Sequence, residues 1–280
     1  MSLCYMEGEW RGTAECRLSV TDLVIQRGVG VFDSIRIYGR RAFALAEHMK
    51  RLERSASIVG IECGDIIERM YGIVREGARR TDCPGDGESI ARLYITGGDE
   101  NDHGRFPRPR HFAIFEQARP DAPAVYETGV ALLPTPEGRL SPVAKSVNYL
   151  FGLMQSAGSD EFRECLYCPG GEITETLSSS FFLCKDGVIT TAPLGRVLDG
   201  VTRGIIIELA RENGFEVDER CPTVEELNRA DEVFITGSTK EVLPVVRVGG
   251  TGIGCGRPGP IAARLRKIFR ESLDRWLDKG

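Results

Sequence analysis

Residues Ala118-Arg-Pro-Asp-Ala-Pro-Ala-Val125 put two prolines into a polar stretch close to the middle of a 280-residue chain. Proline fixes its own φ and removes a backbone donor, so neither a helix nor an inner strand passes through such a segment undisturbed. The chain is long enough for two cores, and this stretch divides it into residues 1–118, a linker at 119–125 and residues 126–280.

Periodicity on either side of the division predicts a mixed fold, α/β (α+β). Val31 to Tyr38 alternates in polarity like a half-buried strand, and Gly39-Arg40-Arg41 turns the chain back. Met49, Leu52, Ala56 and Val59 recur at helical spacing over Ala46 to Val59, as do Ile66, Met70, Ile73 and Val74 over Asp65 to Arg80. Strands are expected at about Ile90 to Thr96 and Arg110 to Gln117. Beyond the linker, Tyr126 to Leu133, Cys165 to Tyr167, Ser179 to Leu183 and Asp231 to Thr236 read as strands, and Asp186-Gly187 as a hairpin turn. Helices are expected over Asn148 to Ala157, Thr202 to Asn213, Thr223 to Asn228 and, as one long element, Ile261 to Leu277. The glycine-rich stretch Gly249 to Gly259 reads as a loop.

Composition excludes several function classes. A net charge of −5 is the wrong sign for a nucleic-acid-binding surface. There is no long apolar run and no export signal, so a cytoplasmic protein with no membrane partner is expected. The nine cysteines are irregularly spaced and read as reduced and packed. Cys165-Leu-Tyr-Cys168 has the spacing of a redox or zinc half-site, but no second pair completes a metal site, and the three histidines are scattered. Alternation on a buried strand explains the two cysteines better.

Chemistry is concentrated at Lys145. The chain holds six lysines against thirty arginines. Lys145 lies in the apolar setting Leu140-Ser-Pro-Val-Ala-Lys-Ser-Val-Asn-Tyr-Leu150, whereas Lys240 merely follows a polar turn and the other four lie among charges or in turns. Burial disfavours the ammonium form, and a neutral amine is what Schiff-base chemistry needs. Four further groups accompany it. Leu198-Asp-Gly-Val-Thr-Arg203 opens a helix, either as an anion site or as a simple N-cap at Asp199 or Thr202. Phe234-Ile-Thr-Gly-Ser-Thr239 runs a strand into a glycine-hydroxyl turn that can approach a phosphate. Arg51, in His48-Met-Lys-Arg-Leu52, offers a planar fork of donors, although solvation is the default for an arginine in such company. Glu175, between a short strand and a hydroxyl-rich run, needs a partner if buried.

In this order and at these separations, the motifs resemble the class IV (fold-type IV) pyridoxal-phosphate aminotransferases. The resemblance spans about Thr21 to Val246. It is carried by Arg27-Gly-Val-Gly-Val-Phe-Asp-Ser-Ile-Arg36, His48-Met-Lys-Arg51-Leu52, Lys145-Ser-Val-Asn-Tyr149, Ile173-Thr-Glu175, Leu198-Asp-Gly-Val-Thr-Arg203 and Thr236-Gly-Ser-Thr-Lys-Glu-Val-Leu-Pro244. It implies two α/β domains with pyridoxal 5′-phosphate in the cleft between them, and a homodimer. Lys145 would form the Schiff base and shuttle a proton, and Glu175 would keep the pyridine nitrogen protonated. Arg51 would bind the phosphate together with Val201, Thr202, Gly237 and Ser238, and Tyr149 would reach the phenolic oxygen. Phe32 and Arg36 would border the substrate pocket, with Tyr94, Arg92 and the loop residues Arg105 and Arg108 as further candidates, because Gly97 stands where relatives of the D-amino-acid type carry an arginine. The implied activity is transfer of an amino group between an amino acid, the branched-chain type favoured, and a 2-oxo acid. A D-amino-acid aminotransferase, an aminodeoxychorismate lyase and a catalytically drifted cofactor-binding homologue remain as alternatives.

Overall fold

Alternation along residues 31–37 decides how the first unit is built. Val31, Asp33, Ile35 and Ile37 turn to one face of a strand and are buried there, while Phe32 and Ser34 on the other face are only half-buried. The computed structural model describes residues 2–81, 87–157 and 160–280. Its first unit comprises the chain up to Arg119 together with Ala144–Asn148 and Leu273–Gly280. The elements of the long first stretch are β1 (Leu3–Met6), β2 (Glu9–Gly12), α1 (Leu23–Arg27), β3 (Gly30–Tyr38), β4 (Arg41–Ala42), α2 (Leu45–Ile58), α3 (Ile66–Arg80), β5 (Ser89–Thr96) and β6 (Arg110–Gln117). The strands form one antiparallel sheet in the order β2-β1-β6-β5-β3-β4.

Helices α2 and α3 lie on the apolar face of that sheet. Met49, Leu52, Met70 and Val74 join Val31, Ile35, Leu93, Ile95 and Phe115 in one core. Gly77 allows the close approach, since a Cβ there would lie 2.2 Å from a Phe115 ring carbon. Strands β1 and β2 were not anticipated.

The second unit comprises Pro120–Val143 and Tyr149–Ser272. Its elements are α4 (Pro123–Thr128), β7 (Val130–Thr135), α5 (Leu150–Ser156), β8 (Glu164–Tyr167), β9 (Ser180–Lys185), β10 (Val188–Thr190), α6 (Val201–Glu212), β11 (Glu216–Asp218), β12 (Glu232–Gly237), β13 (Glu241–Val248), β14 (Thr251–Gly252) and α7 (Pro260–Glu271). The sheet order is β11-β10-β9-β12-β13-β7-β8, with β14 on β13. Strands β9 and β12 are apolar without alternation because both of their faces are covered. Phe181, Leu183, Val233 and Ile235 enter one core, while Phe182 and Phe234 stack on each other at 4.8 Å.

Three expectations need correction, and one further strand was missed. Tyr126 to Leu133 is not one strand: Pro123 opens helix α4 at its first turn, Gly129 at φ 74° follows it, and the strand begins at Val130. The strand β13, carrying Pro244, was not anticipated. The helix expected over Thr223 to Asn228 is a 3₁₀ turn at Glu225–Arg229, fixed by a reciprocal cap between Thr223 and Glu226. The long C-terminal helix stops at Glu271 and a short helix, α8 (Leu273–Trp276), follows.

Residues 273–280 group with the first unit, where Arg75 grips Asp278 through two bonds of 2.9 Å and the Asp278 amide donates to Ala42. Residues 144–148 return there too. The Phe32 amide donates to the Lys145 carbonyl at 2.9 Å and the Val147 amide to that of Gly30 at 3.0 Å. Both returns depend on pairing with distant backbone, which local periodicity does not report.

Candidate functional site

In the first unit the period of β3 drives a carboxylate into an apolar face. Asp33 shares the buried side of the strand with Val31 and Ile35, and α2 meets it with His48 and Arg51, one turn apart. Arg51 donates to Asp33 through Nε and Nη2, each at 2.8 Å, and His48 Nδ1 lies 2.7 Å from Asp33 Oδ1. Burial alone would raise the Asp33 pKa, but the Arg51 charge and the hydrogen bonds from His48 and Arg51 reverse that and hold the carboxyl below the usual range. Burial also lowers the His48 pKa, so the imidazole is neutral and donates from Nδ1. Arg51 is therefore buried and paired, rather than solvated. The sequence carried a signal for this network: Asp33 interrupts an apolar face, and such a group must find a partner.

Lys145 is half-buried, on the strand-like segment beside β3. Its amide donates to Ser55 Oγ at 3.1 Å. Its Nζ lies 4.7 Å from the centre of the Phe32 ring. Phe32 stacks on Tyr94 at 5.7 Å and Tyr94 on Phe112 at 4.7 Å, an aromatic ladder across three paired strands. The amine thus sits at the aromatic end of a half-open sheet face.

In the second unit Glu175 is buried and already has a cationic neighbour. Arg139 Nε is 3.0 Å from Glu175 Oε1, with the side chains 11% and 4% exposed. The Leu198 amide donates to Glu175 Oε2 at 3.3 Å. The Arg139 guanidinium lies 5.3 Å from the Tyr149 ring centre and 5.7 Å from that of Tyr167. Burial opposes the Arg139 charge, but Glu175 and the two tyrosines outweigh it and push its pKa up. Tyr149 precedes α5 and is held by this arginine. Sequence reasoning missed Arg139, which sits in a proline-flanked loop with no periodic signal.

Helix α6 starts without a side-chain cap. Its N-cap residue is Gly200, so neither Asp199 nor Thr202 caps it. Thr202 Oγ1 and Thr236 Oγ1 are both buried and find no hydrogen-bond partner among the described residues. Strand β9 brings their surroundings together: Thr236 pairs with Ser180, and a Cβ at Gly200 would lie 2.7 Å from Ser180 Oγ. Gly237 lies next to Ser178 and Ser179. Unpaired donors at the start of a 12-residue helix, beside two buried hydroxyls that lack partners, suit an anion.

Lys240 corrects the reading of the lysines. It is 6% exposed, more buried than Lys145, and its ammonium bonds Glu164, Ser178 and Ser179. The polar sequence around it hid this, because the partners come from two other parts of the sheet.

The substrate-side candidates separate. Phe32 and Tyr94 belong to the ladder beside Lys145. Arg36 is buried, with Nε donating to Glu88 at 2.7 Å and the guanidinium over Tyr38. Arg92 pairs with Glu116. Arg105 and Arg108 are exposed and pair with the loop acids Asp102 and Glu100. Gly97 is enclosed: a Cβ there would come 2.8 Å from Val29 Cγ1, so an arginine does not fit without displacing its neighbours. Cys165 and Cys168 are both free and buried, and burial pushes the Cys168 thiol up to about 11, away from redox reactivity. Among the described residues no group of metal-ligating side chains forms, and no helix is long and apolar enough to cross a membrane.

Comparison with known proteins agrees with this geometry. Residues 30–248 match the family model described as amino-transferase class IV. A Methanocaldococcus jannaschii protein, provisionally named branched-chain-amino-acid aminotransferase, is 33% identical, with 97% of this chain and 96% of the relative covered. The D-alanine aminotransferase of Bacillus licheniformis is 32% identical, with 93% of each covered. The solved branched-chain amino acid aminotransferase of Escherichia coli superposes with a TM-score of 0.86 at 29% identity, covering 99% of this chain and 98% of that one.

Proposed function

Because the chain belongs to the class IV aminotransferase family, whose members use pyridoxal phosphate, we propose that Lys145, Arg51, Glu175, Tyr149 and the α6 start are the residues through which it handles that cofactor. The observation that carries this assignment is the pair of buried hydroxyls without partners, Thr202 and Thr236, beside the uncapped first turn of α6. They fit a phosphate group, with the Val201 and Thr202 amides and the Gly237–Ser238 turn completing its donors. Arg51, held rigid by Asp33, contributes guanidinium donors fixed in direction. Glu175 stays anionic beside Arg139 and suits a protonated ring nitrogen. Tyr149, oriented by Arg139, supplies a phenolic hydroxyl.

When bound, the cofactor supplies a carbonyl carbon for imine chemistry and an electron-withdrawing ring. Lys145 Nζ is the base that removes the substrate Cα proton and returns it elsewhere. Phe32, against which the amine rests, covers one side of it and fixes its direction. Arg139 restrains Glu175, so the carboxylate keeps its direction during proton transfer.

The substrate is read as a branched-chain amino acid exchanging with a 2-oxo acid. The Phe32–Tyr94–Phe112 ladder offers an apolar surface for an aliphatic side chain, and the enclosed Gly97 leaves no arginine there. The similarity to the Bacillus licheniformis enzyme supports a D-amino-acid donor as the second reading. The proposal extends to a cytoplasmic homodimer, which mass measurement in solution tests.

The test follows the visible absorbance of the purified holoprotein while L-leucine, L-glutamate, D-alanine and aminodeoxychorismate are added in turn. Loss of the band with L-leucine and L-glutamate supports the branched-chain reading. A response to D-alanine alone replaces it with the second reading. Formation of 4-aminobenzoate without need of a 2-oxo acid identifies the lyase, and no response to any of them overturns all three substrate readings and leaves the catalytically drifted homologue or a different amine donor.

A further inference from the structure

Lys240 and Glu164 have no part in the roles above, yet they form a closed buried cluster in the second unit. The Lys240 ammonium has three protons and three partners: Glu164 Oε1 at 2.8 Å, Ser178 Oγ at 2.7 Å and Ser179 Oγ at 2.7 Å. Glu164 Oε1 also accepts from Ser179 Oγ at 2.9 Å, and Oε2 accepts from the Ser178 amide at 2.8 Å and its hydroxyl at 2.7 Å. Thr176 completes the segment by exchanging bonds with the Ser179 amide and carbonyl. A buried pair withstands its desolvation only when its remaining lone pairs and protons are satisfied in this way.

The cluster adjoins one particular turn. The Lys240 amide donates to the Gly237 carbonyl at 3.1 Å, closing residues 237–240. A Cβ on Gly237 would lie 3.5 Å from the Ser178 carbonyl and 3.8 Å from Ser179 Oγ, so the turn rests on the serines that Lys240 and Glu164 hold. The next residue is fixed as well. Glu241 has φ 56°, costly for a residue with a side chain, and its carboxylate is gripped by Arg266 and Arg270 of α7. Tyr126 donates to the Lys240 carbonyl at 3.1 Å. Three contacts from separate elements therefore immobilise a turn of glycine, serine and threonine, which left free would be among the least ordered parts of the unit.

We propose that Glu164 and Lys240 are positioning residues that hold the Gly237–Lys240 turn against Ser178–Ser179 in the geometry that binds the cofactor's phosphate. This rests on the assignment of that turn to the phosphate. The pair acts on phosphate affinity through preorganisation: donors already fixed need not be ordered when the anion arrives. The pair is a matched anion and cation, so its effect comes from geometry, not from added charge.

The test uses the full chain with cofactor removed and compares its affinity for pyridoxal 5′-phosphate with that for pyridoxal, which lacks the phosphate, both followed by visible absorbance. The Glu164→Gln/Lys240→Met double variant removes both charges and leaves no lone buried ion, and Ser179→Ala is a milder second variant that keeps the pair. The expected result is a fall of about tenfold in the ratio of the two affinities in the double variant, and a smaller fall in Ser179→Ala. The phosphorus resonance of the bound phosphate should also broaden or move. Equal weakening toward both compounds, as general destabilisation produces, overturns the inference, and so does an unchanged ratio. Thr202→Val separates the two levels. If it lowers the ratio while the double variant does not, only the positioning role falls. If it too leaves the ratio unchanged, the phosphate assignment falls, and the inference with it.

Discussion

Replacing Arg139 by methionine removes the cation beside Glu175 while keeping much of the buried stem. The groups are almost out of water, with Nε 3.0 Å from Oε1. With charge centres about 4 Å apart and an effective dielectric constant of about 20, the lost attraction is about 4 kcal/mol. That agrees with the roughly 3–5 kcal/mol measured when one member of a buried pair is removed and the other stays charged. For a unit of this size each kcal/mol moves the melting temperature by about 2–4 °C, so the cofactor-free variant should melt roughly 8–16 °C lower.

The loss should be smaller with pyridoxal phosphate bound if, as proposed, a protonated ring nitrogen then gives Glu175 a replacement cation. Glu175→Gln in the same chain should recover most of the loss in the cofactor-free state, since no buried charge is then left unpaired. Scanning calorimetry of the three proteins, with and without cofactor, measures all of this. Arg139→Met melting like the parent would refute the electrostatic reasoning. Equal losses with and without cofactor would show that Glu175 meets no cation from it.

Other outcomes follow from the same geometry. Lys145→Ala should lose both the visible absorbance band and turnover, and a variant still turning over at the parent rate would remove Lys145 from the chemistry. Gly97→Arg should cost about 1–3 kcal/mol in urea denaturation, the usual range for overpacking, because Val29 closes the site; an arginine accommodated at no cost would contradict that enclosure. Burial alone would raise the Glu164 pKa, but Lys240 and the two serines reverse this and hold it at about 2, from 4.5. Its folded pKa is depressed, so its stabilisation is present above the unfolded value and is lost as pH falls from about 4.5 toward 2. Glu164→Gln should flatten the stability-against-pH curve in that window, and an unchanged acid slope would count against the buried pair. Replacing Cys165 and Cys168 by serine should leave activity intact; loss of turnover in a variant that still folds would reopen the thiol reading.

Much of the secondary structure was legible from local pattern alone. The strand at 31–38, the helices beginning near residues 45 and 66 and the hairpin at Asp186-Gly187 follow from periods of 2 and 3.6 and from positive-φ turn residues, which need no knowledge of distant neighbours. The order of the motifs around Lys145 was likewise enough to place the chain in its family. Period also sets which face each residue takes, and the structure buries Asp33 on the side of Val31 and Ile35. Period did not show what meets it there.

Only tertiary structure made the partners known. Arg139 reaches Glu175 across 36 positions of sequence, and Lys240 reaches Glu164 across 76. Lys240 looked like a turn residue because its own neighbours are polar, and Lys145 looked singular because its neighbours are apolar; burial follows from what packs on a residue, not from what adjoins it in the chain. The return of residues 144–148 and 273–280 to the first unit has the same cause, since backbone hydrogen bonds to strands and turns more than a hundred residues away fix their place. Local sequence sets the shape of each element and the side it buries, whereas the pairing of charges and strands is a property of the closed chain.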